Sequence, residues 1–346
     1  VLINSSGEFT FTPDEEFTGY TEIVYTICDD QTDVACVSAT QHILVFDDIR
    51  VAMKVYLEGS LLFNNNDLTS RFAPMMRNDL RVNPFDGNNY IPVQDPYTFS
   101  SSPFLDFTTQ YTHVGPGLLP ENQVITDSVG VFSVEGDNAI VDWVFVELRS
   151  KDDMLEVIGT RSALVQRDGD VVDLDGVSNI RFKGVNADSF YVAVKHRSHL
   201  GAITELMPSG GLIDFTDINT PIFDYGTTLR PGVDYSGLAM NTTIKQGYRA
   251  LWAGDFNSDG LIKFTNPDDD LNWLFFEVLL APGNENSNIN YDFAYGYYNG
   301  DYDMDGRAKF TNPDDDTNLL FFQILLNPLN TQFFANFSFF DEQVPR

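Results

Sequence analysis

Asp255, Asn257 and Asp259 stand at alternate positions and are followed by Gly260; 46 residues later Asp301, Asp303, Asp305 and Gly306 repeat the pattern. On a tightly turned loop, alternate side chains point to one side. Oxygens converging in this way suit a hard cation, which takes about six to eight oxygen donors. The glycine permits the sharp turn, and the next position, Leu261 or Arg307, can offer its backbone carbonyl. The chemistry expected is therefore Ca2+ binding, one ion per loop and two in all.

Residues 254–280 and 300–326 align without a gap, and 18 of the 27 positions are identical, which marks an internal repeat. An EF-hand closes its shell with a glutamate at position twelve, where this chain has Asn266 and Asn312. Three acids follow, Asp268 to Asp270 and Asp314 to Asp316. A longer loop closed by one of them is expected, with Asp270 and Asp316 foremost. A helix should then start, since Pro267 and Pro313 precede the acids and aspartates suit a helix N-terminus. Leu271, Leu274, Phe275, Val278 and Leu279 would share one face, with Pro282-Gly283 and Pro328 ending the two helices. A loop with an exiting helix and no obvious entering one resembles the half EF-hand of a dockerin. So many acids repel one another without a cation, so metal binding and folding are expected to be coupled.

The chain has 346 residues, enough for two to four domains, and 51 Asp+Glu against 20 Lys+Arg, a formal charge of −31. That charge argues against nucleic acid and anionic membrane surfaces as partners. It suits a secreted protein in a calcium-containing medium. Cys28 and Cys36, eight apart, fit a disulfide across a hairpin and an oxidising compartment, with two free thiols as the alternative. No signal peptide is apparent and no apolar run is long enough to span a bilayer. A mature or trimmed fragment of a secreted protein is the expectation.

Along the chain, Glu8 to Thr12, Glu22 to Ile27 and Ser38 to Phe46 read as strands. Residues 1–47 are too short for an Ig-like sandwich and look like the last part of one. Gly7, Pro13, Gly19, Tyr25, Cys28, Asp29 and Cys36 match a pattern that resembles the end of the tandem Ig- or cadherin-like repeats of giant bacterial surface proteins. The resemblance implies further repeats before Val1, or missing strands supplied by a neighbour. Residues 48–250 read as a larger β-sandwich, with strands at Ile49 to Glu58, Val129 to Val134, Ile140 to Arg149, Glu156 to Gln166, Ile180 to Phe182 and Phe190 to Arg197. Gly59 to Glu121 has few periodic elements.

The words at 141–149, 160–176 and 191–201, with Met76 to Arg81 before them and Trp252 to Gly260 after, resemble a C-terminal module of large secreted proteins of the Bacteroidetes group. That resemblance covers roughly residues 50–326. It implies a non-catalytic module at the bacterial cell surface. Residues 251–330 would be a tandem dockerin-like calcium module. Residues 331–346 would be a tail whose Phe333, Phe334, Phe337, Phe339 and Phe340 form a strand on the core or a contact surface.

Other candidate chemistry is weaker. His196 and His199 lack the glutamate and spacing of a zinc protease, and on one strand they would face opposite ways, as surface residues. No G-x-S-x-G elbow or phosphate-binding loop occurs. Asp168, Asp170, Asp173 and Asp175 could hold a further ion, although acidic hairpin turns are common. Trp143, Trp252 and Trp273 could serve sugar stacking, although Trp143 and Trp273 read first as core or interface anchors.

The expectation is thus a mostly β fold, Ig-like sandwiches plus a small α module. Its function would be that of the calcium-stabilised, non-catalytic end of an extracellular adhesin or filament. Self-association into a fibre or ring, and a protein or glycan ligand, are the expected partners. The alternative is a dockerin-type module that tethers a secreted enzyme, or an accessory domain of a secreted hydrolase. Against the dockerin, Trp273, Phe275, Phe276, Phe321 and Phe322 read as intramolecular.

Overall fold

Alternating apolar and polar residues on either side of an acidic turn build the first hairpin. β3 (Gly19–Cys28) pairs antiparallel with β4 (Cys36–Val45), and Cys28 faces Cys36 at its tip, where the two form a disulfide. Ahead of it, β1 (Leu2–Ile3) pairs with β2 (Phe9–Thr10). The computed structural model describes residues 2–3, 9–14, 17, 19–29, 34–45, 48–62, 74–97, 111–115, 123–229, 232–235, 237–245, 247–265, 269–311, 315–338 and 343–345. The hairpin buries little. Tyr20, Val24, Ile27 and Val37 are all exposed.

The protein is mostly β, with 33% strand and 13% helix and largely antiparallel pairing. Nine strands hydrogen-bond into one continuous sheet. They are β5 (Asp48–Lys54), β6 (Ile140–Ser150), β7 (Val157–Gln166), β8 (Asp170–Val172), β9 (Ile180–Lys183), β10 (Ser189–His196), β11 (His199–Ile203), β12 (Met207–Pro208) and β13 (Leu212–Asp214). The main path runs β11-β10-β6-β7-β8-β5-β13, with β12 on β10 and β9 on β5. Only β13 on β5 is parallel among these described pairs. A small pair, β14 (Asn241–Lys245) and β15 (Tyr248–Ala250), leads into the repeat.

All eleven residues of β6 are buried, so both of its faces are covered. Part of the cover comes from the irregular segment that sequence periodicity left unplaced. The Tyr97 hydroxyl donates to Trp143 O (2.8 Å), Trp143 Nε1 donates to Pro92 O (2.8 Å), and Tyr97 and Tyr111 pack edge-on against Phe145. A segment without periodicity can cover a sheet when aromatic rings supply the buried area and its own polar groups find backbone partners.

Two expected strands end differently. Val129 to Val134 is not a strand: α2 (Ser128–Phe132) forms there because the Asp127 carboxylate accepts Gly130 N–H at 2.9 Å and caps the turn. Ile49 to Glu58 is strand only as far as Lys54, and Glu58 opens α1 (Glu58–Leu62). A further short helix, α3 (Gly226–Leu229), precedes β14. No helix among the described residues is long and apolar enough to cross a membrane.

The two repeat helices are α4 (Asp270–Leu279) and α5 (Asp316–Leu325). Their core is built from equivalent residues of the two copies: Phe256 with Tyr302, Ile262 with Ala308, Leu274 with Leu320, Val278 with Ile324. Neither copy could bury its apolar face alone; each covers the other. The glycines that open the loops show the exchange. A Cβ on Gly254 would strike Leu320 of the second copy (2.9 Å), and one on Gly300 would strike Leu274 of the first (2.6 Å).

The repeat continues past its recognisable sequence. Asn284 Nδ2 donates to Val278 O and Asn288 O, and Asn330 Nδ2 donates to Ile324 O and Phe334 O. Ser287 and Phe333, again 46 apart, both adopt positive φ, 46° and 56°. The Phe-rich tail is therefore not a strand over its described residues 327–338. Its Phe333 and Phe334 are exposed, while Phe337 packs on the repeat core. Phe339 and Phe340 lie outside the described residues.

Candidate metal centre

The two acidic loops share the hydrogen bonds that fold the turn around the first acid. In the first, the Asp255 carboxylate accepts Asp259 N–H (3.0 Å) and Gly260 N–H (3.1 Å), and Asn257 Oδ1 accepts Asp259 N–H (3.0 Å). In the second, Asp301 accepts Asp305 N–H (3.0 Å) and Gly306 N–H (2.9 Å), and Asp303 accepts Asp305 N–H (3.1 Å). Ser258 and Met304 carry the same positive φ (54° and 58°), and so do Gly260 and Gly306 (79° and 83°). The turn thus folds around the first acid, and Leu261 and Arg307 follow at the seventh position.

Asp270 and Asp316 reach back into their own loops. Asp270 accepts Phe256 N–H (2.8 Å) and Lys263 N–H (2.7 Å); Asp316 accepts Tyr302 N–H (2.7 Å) and Lys309 N–H (2.8 Å). Both are almost fully buried. The acids just before them do different work. Asp269 and Asp315 cap α4 and α5 by accepting Asn272 N–H (2.7 Å) and Asn318 N–H (2.6 Å). Asn266, Pro267 and Asp268, and Asn312, Pro313 and Asp314, lie outside the described residues.

Burial drives these carboxyls toward their neutral form, and each other's charge adds to it. Asp270 is pushed well above the usual carboxylate range by burial and by Asp255, Asp301 by burial, Asp305 and Asp303, and Asp316 by burial, Asp303 and Asp301. Asp305 rises to about 7 from burial and Asp303. Asp303 rises through burial, opposed by Arg77.

Carboxylate oxygens of Asp301, Asp303 and Asp305 lie within 4.8 Å of one another, and Oδ1 of the buried Asp305 makes no hydrogen bond of normal geometry. An all-oxygen, negatively charged donor set with such an orphaned atom fits a hard divalent cation. Asp301, Asp303, Asp305, Asp316 and the Arg307 carbonyl would hold it in the second loop. Asp255, Asn257, Asp259, Asp270 and the Leu261 carbonyl would hold one in the first.

The loops differ in what covers them. Asp301, Asp303, Asp305 and Asp316 are all buried, whereas Asn257, Asp259 and Leu261 are partly exposed. Over the second loop lies the segment containing Met76 to Arg81. Arg77 Nη1 sits 3.3 Å from Asp303 Oδ2, and Asn83 Nδ2 donates to the carbonyls of Asp305 (3.2 Å) and Gly306 (3.3 Å). Gly59 of α1 approaches so closely that a Cβ there would lie 1.7 Å from Tyr302 O.

Two glutamates missed by sequence reading hold the loops to their surroundings. Glu277 accepts Asn299 N–H (3.2 Å) and Gly300 N–H (2.8 Å) just ahead of the second loop. Glu58 accepts Ala253 N–H (2.9 Å) at the equivalent place before the first, and also side-chain amides of Asn241 and Gln323. Gln323 is the repeat partner of Glu277. The only signal in the sequence was that pairing, a charged residue matched with its amide, 46 apart.

His196 and His199 are not surface residues facing opposite ways. A two-residue turn separates β10 from β11, so the pair stands in register, buried on one face. Their Nδ1 atoms are 2.9 Å apart; His196 Nε2 donates to Asp142 (3.1 Å), and His199 Nε2 accepts Gly59 N–H (3.3 Å). With these tautomers, assigned from the network, His199 donates to His196 and each ring nitrogen has a partner. Burial lowers the pKa of both, so the chain is neutral and ties α1 to β6. Next to it the buried Arg197 bonds Asp142 (Nε, 3.1 Å) and lies 4.1 Å over the Tyr297 ring, whose hydroxyl donates to Asp142 (2.6 Å). This network joins the sheet to the chain between the two loops.

The other candidates are absorbed by local structure. Asp170 and Asp168 pair with Lys54 (2.8 and 3.7 Å), Asp173 pairs with Arg161 (2.5 Å), and Asp175 caps its own turn through Val177 and Ser178 N–H. Trp143 and Trp252 are buried, and Trp273 stacks against Phe256. Phe275 and Phe321 pack against Phe310 and Phe264. Phe276 and Phe322, by contrast, are exposed, at 45% and 50%. Leu280 and Leu326 beside them are exposed too, so each helix shows the same apolar ridge to solvent. No protein-family model matches the chain, and no match is found among curated proteins or among solved structures.

Proposed function

We propose that the chain is a calcium-stabilised, non-catalytic region of an extracellular surface protein, an adhesin or filament, in which two ions stiffen the repeat and lock it onto the β-sheet. The observation that carries the reading is the pair of equivalent acidic loops, each with a distant buried aspartate bonded back to the loop's own backbone. Two Ca2+ ions would offset the repulsion that otherwise forces these buried carboxyls to take up protons. The disulfide suits an oxidising setting. Calorimetric titration of the chelator-stripped chain with Ca2+ tests it. Two ions per chain are expected, and one each for Asp270→Ala and Asp316→Ala. Absence of binding by the unaltered chain would remove the reading.

A second reading, an interaction module of dockerin type, is favoured by the exposed ridges Phe276/Leu280 and Phe322/Leu326. Because the two ridges are equivalent, a second copy of the chain is the first partner to test. Sedimentation of the calcium-loaded chain should show self-association that Phe276→Ser with Phe322→Ser abolishes. A monomer at every concentration would exclude that partner.

A further inference from the structure

Enclosure separates the two loops. In the second, every residue from Asp301 to Gly306 is buried; in the first, every residue from Asn257 to Leu261 is partly exposed. The first loop also borders a cavity of about 470 Å3 through Asp255, Ser258 and Gly260, and no residue of the second loop lines it. Water thus has a way to the first loop. In the second, Asp305 Oδ1 is both unpartnered and out of water's reach.

The cover on the second loop is itself anchored. Arg77 N–H donates to Ser60 O of α1 (2.9 Å), Met76 N–H to Arg167 O (2.8 Å) and Arg167 Nε to Met76 O (2.8 Å), so the segment is tied to α1 and to the end of β7. Asp79 holds the Arg77 guanidinium through Nε (2.9 Å) and Nη2 (2.6 Å) and aims its Nη1 at Asp303. Asn83 N–H donates to Asn88 O (2.9 Å), which fixes the residue whose side chain grips the carbonyls of Asp305 and Gly306. With Gly59 against Tyr302 O, the loop is clamped at four of its first six residues. Charge does not explain the contrast so well. The second loop has four aspartates to the first loop's three, but Arg77 at Asp303 (3.3 Å) and Arg307 at Asp305 (3.4 Å) offset the excess, where the first has Lys263 at Asp259 (3.8 Å).

We infer that the two cation sites differ in exchange: α1 and the segment Met76 to Asn83 lock the second-loop ion in, whereas the first-loop ion exchanges directly with the medium and is the one that follows the calcium level. The inference rests on the calcium reading above. A hard ion leaves as water oxygens replace protein oxygens one by one, and site rigidity helps to set how firmly it is held. In the second loop that replacement waits for a local opening that breaks the anchored hydrogen bonds of the cover. In the first it does not. The second ion is then a permanent part of the structure, and the first is regulatory.

Stopped-flow mixing of the calcium-loaded full chain with excess fluorescent chelator tests this. Two phases of one ion each are expected, the slow one at least about 100-fold slower because several hydrogen bonds must open first. Asp259→Ala should alter the fast phase alone, and Asp316→Ala should remove the slow one. Asn83→Ala, which keeps every ligand named above, should speed the slow phase about tenfold, the scale of the two hydrogen bonds it removes, and leave the fast phase as it is. Arg77→Met separates enclosure from charge. Loss of the cover speeds the slow phase, whereas loss of a neighbouring cation alone would hold the ion more tightly and slow it. A single phase for both ions in the unaltered chain would overturn the inference, whatever the variants do, and leave the calcium reading standing. A slow phase that belongs to the first loop, an unchanged slow phase in Asn83→Ala or a slower one in Arg77→Met would overturn it as well. A chain that binds no ion would remove the calcium reading itself.

Discussion

Glu58, Glu277 and Asp305 hold carboxyls that burial raises to about 7, and burial holds Asp270, Asp301 and Asp316 well above the usual carboxylate range. The sign of the resulting pH dependence follows. In the unfolded chain such groups titrate near pH 4, so between about pH 4 and 7 the folded state binds more protons than the unfolded one, and stability falls as pH rises. In chelator, the urea midpoint should therefore be higher at about pH 5 than at about pH 8, the reverse of the usual acid denaturation. Calcium should flatten the slope by replacing protons on the aspartates, leaving Glu58 and Glu277 to contribute. A midpoint that rises with pH in chelator would show that these carboxyls are not held as described.

The elements that the sequence revealed are those whose pattern is local. Loop and helix were legible because acids at alternate positions and an apolar stripe survive in both copies. β6, β7 and β10 were legible because β-branched residues run together between turns. What escaped turns on single capping bonds, chain reversals and turns that carry no periodic pattern. Asp127 makes α2 from a stretch that reads as a strand, and one capping bond outweighs the propensity of Val129 and Val131. His196 and His199 face each other only because the chain reverses at Arg197 and Ser198. The extension of the repeat through Asn284 and Asn330 was hidden because a turn needs only its asparagine and proline, not the residues between. The exposure of Phe276 and Phe322 could not be read from sequence, since a helix with apolar residues on most sides does not say which side is covered.

At the scale of the molecule, α1 is where the parts meet. Glu58 and Gly59 touch the residues before the first loop, the second loop itself, α5 and the histidine pair of the sheet. Arg77 and Asn83 reach the second loop from the segment that also covers β6. Ions bound in the loops would thus brace the sheet as well as the repeat, since the same residues are shared. The most direct test is thermal unfolding of the whole chain in Ca2+, then in excess chelator, then with Ca2+ restored. At about 100-fold saturation each ion adds about 2.7 kcal/mol, and two should raise Tm by on the order of 10 °C in one cooperative transition. The account predicts that loss on chelation, with full recovery on adding calcium back. An unchanged Tm would contradict it, and a second, early transition limited to the repeat would show that the ions do not hold the module to the sheet.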